Sequence, residues 1–373
     1  MRGLRKDSAT HRGLRPGVLR TAGRALAAAA IVLAVGACSG RAAAAVPHAQ
    51  WLQLQSGVFV SVTRPDAAPA VATRPWTVQS RVADMAFLGD TLYAAINGTG
   101  IATIAVDATG VPSFTYHGDP LIFAHRTITT LVPRQGSVAV HLYYNALLND
   151  AAQNDLAIAG ISLVSWLPGK GNFTFLIPPF QKRNPEWEAA GFVPESENSF
   201  DFEWKYSDTR ETRFAYTRYH ADTQVEDASD RDTFMTALGV PAIAGPSVPT
   251  ALAALFTACR TSLAPKQGTA LQFTLRSRES PVRRSYRSEA QSDAAVVVPV
   301  FEEGGSLAAL LPSGAVLAME PSGATRTVTL PRLGRGFHYT DIARVNGWLV
   351  VPWEESSFTD VGRAGILVTA EPR

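Results

Sequence analysis

The sequence predicts an all-β fold built from repeated four-stranded sheets, and three observations support this prediction. Beyond residue 50, most of the chain consists of short runs in which apolar and polar residues alternate, separated by turn residues. The 373 residues include 29 glycines and 24 prolines, a composition typical of chains with many turns. The third observation is internal repetition, which also indicates how the strands are grouped.

The clearest repeat aligns residues 82–94 with residues 339–351 without a gap. In each copy an aspartate, Asp84 or Asp341, is followed by an apolar residue and an alanine. A two-residue turn containing glycine and a second apolar strand come next. Such turns join antiparallel strands, so each copy predicts the same hairpin.

The spacing of these hairpins indicates the architecture. A similar strand start lies near Thr129, 45 residues after Asp84, and another lies near Val296, 45 residues before Asp341. Four-stranded propeller blades repeat at about 40–45 residues. The sequence therefore predicts a β-propeller of six or seven four-stranded blades over residues 51–373, and the pattern resembles β-propeller lipoproteins of bacterial envelopes. A β-sandwich with a helical appendage is the alternative.

Two further segments complete the predicted domain. The apolar strand at residues 57–62 is well placed to pair with the last strand and to join the two ends of the chain. The segment from about residue 230 to 265 has apolar residues at helical spacing and is predicted to form a small helical insertion, 230–265. Cys259 lies on the apolar face of that helix, which predicts a buried thiol that packs as a small hydrophobe.

The N-terminal segment has the composition of an export signal. A basic stretch ends at Arg24, and the uncharged apolar run that follows ends at Ala37, too short to span a bilayer as a mature helix. Residues 33–39, Leu-Ala-Val-Gly-Ala-Cys-Ser, resemble the lipobox of bacterial lipoproteins. That resemblance implies cleavage before Cys38, and attachment of a diacylglyceryl group and palmitate to Cys38.

The resemblance also implies a place in the cell. Residues 1–37 are expected to be the signal peptide and residues 38–50 a lipidated tether. The protein is then exported and held on an envelope membrane by its N-terminal lipids. Ser39 after the acylated cysteine implies the outer membrane if the organism is Gram-negative.

Charge and motifs exclude several functional classes. Residues 1–37 hold seven basic residues and one acid, which leaves 27 basic and 31 acidic residues in the mature chain, a net charge of −4. No nucleic-acid partner is therefore expected. The sequence lacks the common hydrolase, phosphate-binding and zinc-binding motifs, and its histidines do not stand at metal-ligand spacing, so neither a metal nor a cofactor is expected.

The remaining candidate residues support two interpretations. Five arginines crowd one predicted hairpin and form a possible ligand-binding surface for anionic lipid, glycan or protein: Arg276, Arg278, Arg283, Arg284 and Arg287. The first interpretation is a lipid-anchored module that binds or scaffolds a protein, glycan or anionic ligand in the envelope. The second is an envelope glycan hydrolase or lyase whose candidate acids at the propeller axis are Asp84 and Asp341.

Overall fold

The computed structural model describes residues 50–54, 58–63, 81–97, 100–108, 110, 112–118, 120–123, 126–144, 162–239, 248–265, 269–288, 295–331, 333, 336–355 and 364–370. Cys38, the predicted signal peptide and the predicted tether up to residue 49 lie outside the described residues. The predictions made for them therefore stay predictions.

Strands form most of the described chain. In chain order they are β1 (Gln50–Leu54), β2 (Val58–Thr63), β3 (Val82–Leu88), β4 (Thr91–Ile96), β5 (Gly100–Val106), β6 (Pro112–His117), β7 (Arg126–Arg134), β8 (Ser137–Tyr144), β9 (Leu163–Leu167), β10 (Asn172–Phe175), β11 (Glu188–Pro194), β12 (Ser199–Ser207), β13 (Thr212–His220), β14 (Val225–Ser229), β15 (Ala270–Ser277), β16 (Arg284–Arg287), β17 (Ala295–Glu303), β18 (Ser306–Leu310), β19 (Ala315–Met319), β20 (Thr325–Thr329), β21 (Phe337–Tyr339), β22 (Ala343–Val345), β23 (Trp348–Glu355) and β24 (Ala364–Ala370). The helices are α1 (Pro120–Phe123), α2 (Pro179–Arg183), α3 (Arg231–Leu238) and α4 (Thr250–Leu263).

Three sheets each consist of four strands that are consecutive in the chain. Sheet I contains β3 to β6, sheet II contains β7 to β10, and sheet III contains β11 to β14. Every neighbouring pair of strands within them is antiparallel. These are the four-stranded units that the repeat predicts.

Sheet IV is larger, because two strands are added beside its four-stranded meander. Its order is β16-β15-β17-β18-β19-β20. Strand β15 runs parallel to β17, with Arg276 opposite Phe301, and antiparallel to β16, with Leu275 opposite Arg284. The hairpin that the sequence predicts for the arginine-rich segment is therefore present as β15 and β16. It lies beside β17, on the edge opposite to β18.

Sheet V joins the two ends of the domain. Its order is β1-β2-β24-β23-β21, and β22 also pairs with β23. Strand β2 runs parallel to β24, with Val58 opposite Ala364, and β1 pairs with β2. The predicted pairing of the strand at residues 57–62 with the last strand is confirmed.

The two copies of the sequence repeat adopt the same local structure. In the first copy Leu88 faces Thr91 across the turn between β3 and β4. In the second copy Val345 faces Trp348 across the turn between β22 and β23, and its turn residue Asn346 has a φ of 50°. A positive φ is tolerated by asparagine, which explains why a non-glycine residue can begin this tight turn.

The two longer helices occupy the segment with a helical sequence period. Helix α3 packs on sheet III through Phe234. The Phe234 ring lies so close to Gly191 of β11 that a Cβ atom at residue 191 would be only 2.7 Å from it. Helix α4 buries its apolar face, including Leu255 and Cys259, in one cluster with Phe273 and neighbouring side chains of sheet IV. Helix α4 is thus part of a hydrophobic core rather than an appendage on the surface.

Hydrophobic cores connect successive sheets. One cluster joins sheets I, IV and V, a second joins sheets I and II, and a third joins sheets II and III. Among the described residues, no cluster joins sheet III to sheet IV. One face of sheet IV packs in the cluster with sheets I and V, and α4 covers its opposite face. The described residues therefore form five sheets, where the sequence predicts six or seven blades.

Candidate functional site

Asp84 is a buried carboxylate at the start of sheet I. It stands at an irregularity in the pairing of β3 with β4, and the residue is 1% exposed. Its Oδ1 accepts a hydrogen bond from the backbone N–H of Met85 at 3.0 Å, and its Oδ2 accepts one from Leu131 at 2.8 Å. Because Leu131 belongs to β7, this carboxylate connects the first strands of sheets I and II.

Asp341 has the same local geometry in sheet V. It lies between β21 and β22, and its Oδ1 accepts a hydrogen bond from the backbone N–H of Ile342 at 2.8 Å. Its side chain is 18% exposed. The repeat identified in the sequence thus places two aspartates in equivalent positions, each fixed by the amide of the following residue.

Arg276 of β15 lies between these two carboxylates. Its Nη2 atom is 2.8 Å from Asp84 Oδ1 and 2.5 Å from Asp341 Oδ2, and the residue is 6% exposed. Burial acts to lower the pKa of Arg276, but the charges and hydrogen bonds of Asp341 and Asp84 outweigh it and raise the pKa. The guanidinium is therefore a fixed positive charge that links sheets I, IV and V.

A second arginine neutralises the cluster from its solvent side. Arg283 Nη1 lies 3.5 Å from Asp84 Oδ1, and the Arg283 side chain is 45% exposed. Two carboxylates and two guanidinium groups thus balance each other in charge. Such an arrangement stabilises a fixed geometry, because removing one partner leaves an unpaired buried charge.

Arg278 forms a parallel connection two residues further along the chain. Its Nη1 donates to Glu303 of sheet IV, and its Nη2 donates to Asp90 of sheet I at 2.6 Å. The hydrogen bond to Glu303 raises the pKa of Arg278, burial opposes this, and the hydrogen bond to Asp90 adds to the rise. The guanidinium also lies 5.2 Å from the centre of the Phe87 ring.

The five arginines of the predicted binding surface therefore have different environments. Arg276 is buried and Arg278 is held in ion pairs, so neither contributes to an open basic surface. Arg283 is half-exposed beside Asp84, Arg284 is exposed, and Arg287 is partly buried. The hairpin presents a smaller positive surface than its composition predicts, because alternate strand residues face opposite sides.

The described histidines do not belong to a cluster suited to a metal ion. No cluster of three or more His, Cys, Asp or Glu side chains suited to a metal ion occurs in the described part of the chain. His141 is buried in sheet II, and its Nδ1 atom forms a hydrogen bond of 2.5 Å with the Thr129 hydroxyl. Its ring stacks on that of Phe192, with 4.2 Å between the ring centres. Burial lowers its pKa to about 3.

A separate cavity of about 290 Å³ opens between sheets IV and V. Its apolar lining consists of Val297, Pro299, Leu310, Leu311, Pro312 and Tyr339. His338 and Thr340 complete the lining. Sequence patterns gave no indication of this cavity, because β21 and the residue after it, which form one wall, are separated in the chain from the other walls, β17 and the end of β18 with its turn.

The contact of Arg276 with both aspartates was also not predicted. Arg276 is 192 residues from Asp84 and 65 from Asp341. The available signal was the equivalence of Asp84 and Asp341 in the repeat, since two carboxylates brought together in a fold need a cation between them.

One family model matches most of the chain. The model of a family of unknown function (DUF8086) matches residues 41–373. The chain belongs to this family. Among curated proteins, none matches the sequence of this DUF8086 member.

Solved structures with similarity to this DUF8086 chain are remote. The polysaccharide lyase Uly1 is 8% identical, with a TM-score of 0.37, and the match covers 86% of this chain and 96% of the lyase. TolB from Acinetobacter baumannii is 9% identical, with a TM-score of 0.27, and the match covers 78% of this chain and 67% of TolB. The endo-arabinase from Bacteroides thetaiotaomicron is 11% identical, with a TM-score of 0.29, and the match covers 82% of this chain and 98% of the arabinase.

Proposed function

We propose that this protein is a lipid-anchored binding or scaffolding module of the cell envelope, with its five sheets arranged as the blades of a closed β-propeller. The observation that carries the proposal is the position of Arg276 between Asp84 and Asp341. If Asp84 of sheet I and Asp341 of sheet V were catalytic acids, their side chains would need to be accessible to substrate. Here they belong to a buried ion cluster.

The alternative, a glycan hydrolase or lyase, is less consistent with this geometry. Glycoside hydrolysis by a carboxylate pair needs one acid to donate a proton and the other to act as a base or nucleophile, with substrate between them. Asp84 and Asp341 instead share one guanidinium donor, and Asp84 is 1% exposed. Both carboxylates are thus occupied, and substrate has no access to Asp84.

The proposed anchor rests on the sequence before the described domain. The uncharged run that ends in Val35-Gly36-Ala37-Cys38 supports acylation of Cys38 and membrane attachment. No helix among the described residues is long and apolar enough to cross a membrane. Labelled palmitate should enter the parent protein in a bacterial host but not the Cys38→Ala variant, and that variant should leave the membrane fraction. Equal labelling of both proteins would contradict the anchor.

The binding activity has its own experiment. The acylated protein is cross-linked in intact cells and purified under denaturing conditions, with an unrelated lipoprotein as the control. We expect one or a few envelope components to be recovered in stoichiometric amounts with this protein and not with the control. Recovery of the same background set from both would contradict a binding or scaffolding function.

A further inference from the structure

We infer that the cavity between sheets IV and V is a binding site for an uncharged aromatic ring that carries a hydroxyl group. This inference deepens the proposed binding function and rests on it for its biological role. Four features support it: the fixed walls of the cavity, its chemistry, its size and an exposed valine at its rim.

The walls are held in place before any ligand arrives. The turn that follows β18 is closed by hydrogen bonds from Leu311 N to Ala315 O at 2.8 Å and from Gly314 N to Leu311 O at 2.9 Å. The opposite wall is fixed by Tyr339, whose hydroxyl donates to Pro331 O at 2.8 Å. A site that is already formed loses little conformational entropy on binding.

The lining favours an apolar and flat ligand. Leu310 and Leu311 are buried, and Pro299 and Pro312 have no backbone N–H to offer. The ring of Tyr339 adds a face on which another ring can stack. Because a desolvated charge would have no partner against these side chains, the buried part of the ligand is uncharged.

Polar groups stand at one side of the cavity. His338 and Thr340 line it beside Tyr339, and His338 Nε2 is 3.4 Å from Glu354 Oε1. Arg81 also approaches Glu354, at 3.9 Å. An imidazole and a hydroxyl are suitable hydrogen-bond partners for a ligand hydroxyl.

The size of the cavity limits the ligand to a small group. About 290 Å³ is enough for a single ring with its substituents, since an engineered cavity of roughly 150 Å³ binds benzene. Val297, at the rim, is 51% exposed although it is a large hydrophobic residue on a strand. A ligand that enters the cavity would cover Val297, which explains an exposed valine at this position.

The test uses p-cresol as the probe and the full chain in detergent micelles, with empty micelles as the blank. Binding is followed by ligand-observed NMR for the parent and for Val297→Trp, whose larger side chain fills the rim of the cavity. The matched control is Val225→Trp, because Val225 is also a strand valine, 50% exposed, but belongs to sheet III. Cyclohexanol and benzoate serve as the non-aromatic and the anionic comparison.

We expect p-cresol to bind the parent and the control equally and Val297→Trp at least about tenfold more weakly. Benzoate and cyclohexanol should bind the parent more weakly than p-cresol. No binding of p-cresol to the parent up to about 5 mM, or equal binding by both tryptophan variants, would overturn the site. If that happens while cellular cross-linking still recovers a partner, the binding function stands without this cavity. If p-cresol binds as expected and no partner is recovered, the cavity stands and the proposed envelope function fails.

Discussion

Asp84 and Asp341, which lie in different sheets, accept hydrogen bonds from the same Nη2 atom of Arg276. Each aspartate also accepts a hydrogen bond from the amide of the residue that follows it. One guanidinium therefore fixes two repeats of the same sequence motif against each other. The consequence is a cluster whose members depend on each other for their charge balance.

Removing the cation at the centre of this cluster should strongly destabilise the fold. In Arg276→Met the apolar stem is largely kept, but two carboxylates lose their shared partner. We expect a loss of about 3–5 kcal/mol in the free energy of unfolding, the usual result of breaking a buried ion pair. Urea denaturation of a soluble form lacking residues 1–38 measures it.

The control for this loss is Arg284→Met, because Arg284 is an exposed arginine on the neighbouring strand β16. That change should alter the free energy of unfolding by less than about 0.5 kcal/mol. Adding Asp84→Asn and Asp341→Asn to Arg276→Met should restore part of the stability, since no unpaired buried charge then remains. Arg283, which loses Asp84 in this variant, is half-exposed. An Arg276→Met protein as stable as the parent would contradict a structural role for the cluster.

His141 should make the fold less stable in acid. The ordinary histidine pKa is 6.5, and burial lowers that of His141 to about 3 in the folded protein. Between these values the unfolded chain binds more protons than the folded one, so the free energy of unfolding falls as pH falls. The slope from this residue is at most about 1.4 kcal/mol per pH unit.

The variant His141→Phe removes this titration and keeps a ring for stacking on Phe192. Urea denaturation at several pH values between 7 and 4 should give a shallower fall in stability for this variant than for the parent. His220→Gln, which changes a partly exposed histidine in sheet III, is the control. Parallel curves for the parent and His141→Phe would show that His141 already titrates normally.

Cys259 should be chemically inert in the folded protein. The thiol lies in the core between α4 and sheet IV, and burial raises its pKa to about 12, so little thiolate forms near neutral pH. In the soluble form lacking residues 1–38 it is the one remaining cysteine. Ellman's reagent should react slowly with the native protein and rapidly in urea. Fast reaction in both states would mean that α4 does not stay packed on the sheet.

The exposed end of the arginine hairpin is the remaining candidate for contact with an anionic partner. Arg284→Ser combined with Arg287→Ser should weaken attachment of the soluble form to phosphatidylglycerol vesicles several-fold at low salt. The difference should shrink at higher salt, where the Debye length falls below about 10 Å. Arg210→Ser in the turn between β12 and β13 is the matched control. Equal attachment of parent and double variant would leave the hairpin as a solvated surface.

Local features of the fold could be predicted from the sequence, and long-range ones could not. The hairpin turns of the repeat and the apolar face of α4 follow from patterns within short segments. The pairing of β2 with β24 is the long-range exception, because the apolar strand at residues 57–62 was expected to join the two ends of the chain. The described residues form five sheets where six or seven blades were predicted, because the prediction assumed blades of uniform length. In sheet IV the parallel pairing of β15 with β17 adds two strands to one sheet, and parallel neighbours leave no turn signal between them.

The cluster of Asp84, Asp341 and Arg276 could likewise be predicted only in part from the sequence. The aspartate repeat correctly indicated that Asp84 and Asp341 are equivalent. Arg276 was assigned to a possible basic surface because five arginines crowd one predicted hairpin and arginine is mostly exposed in proteins. Its burial depends on which sheets meet at β15, and that information is not contained in the sequence around residue 276.

A direct assay of glycan cleavage tests the central claim, that the aspartates form a structural cluster in a binding protein rather than a catalytic pair. Purified parent protein is incubated with envelope polysaccharide, and new reducing ends and new unsaturated sugar ends are measured over time. We expect no increase above the rate of a heat-inactivated sample, for the parent and for Asp341→Asn alike. Steady formation of either product by the parent, abolished in an Asp341→Asn protein that remains folded, would contradict the claim.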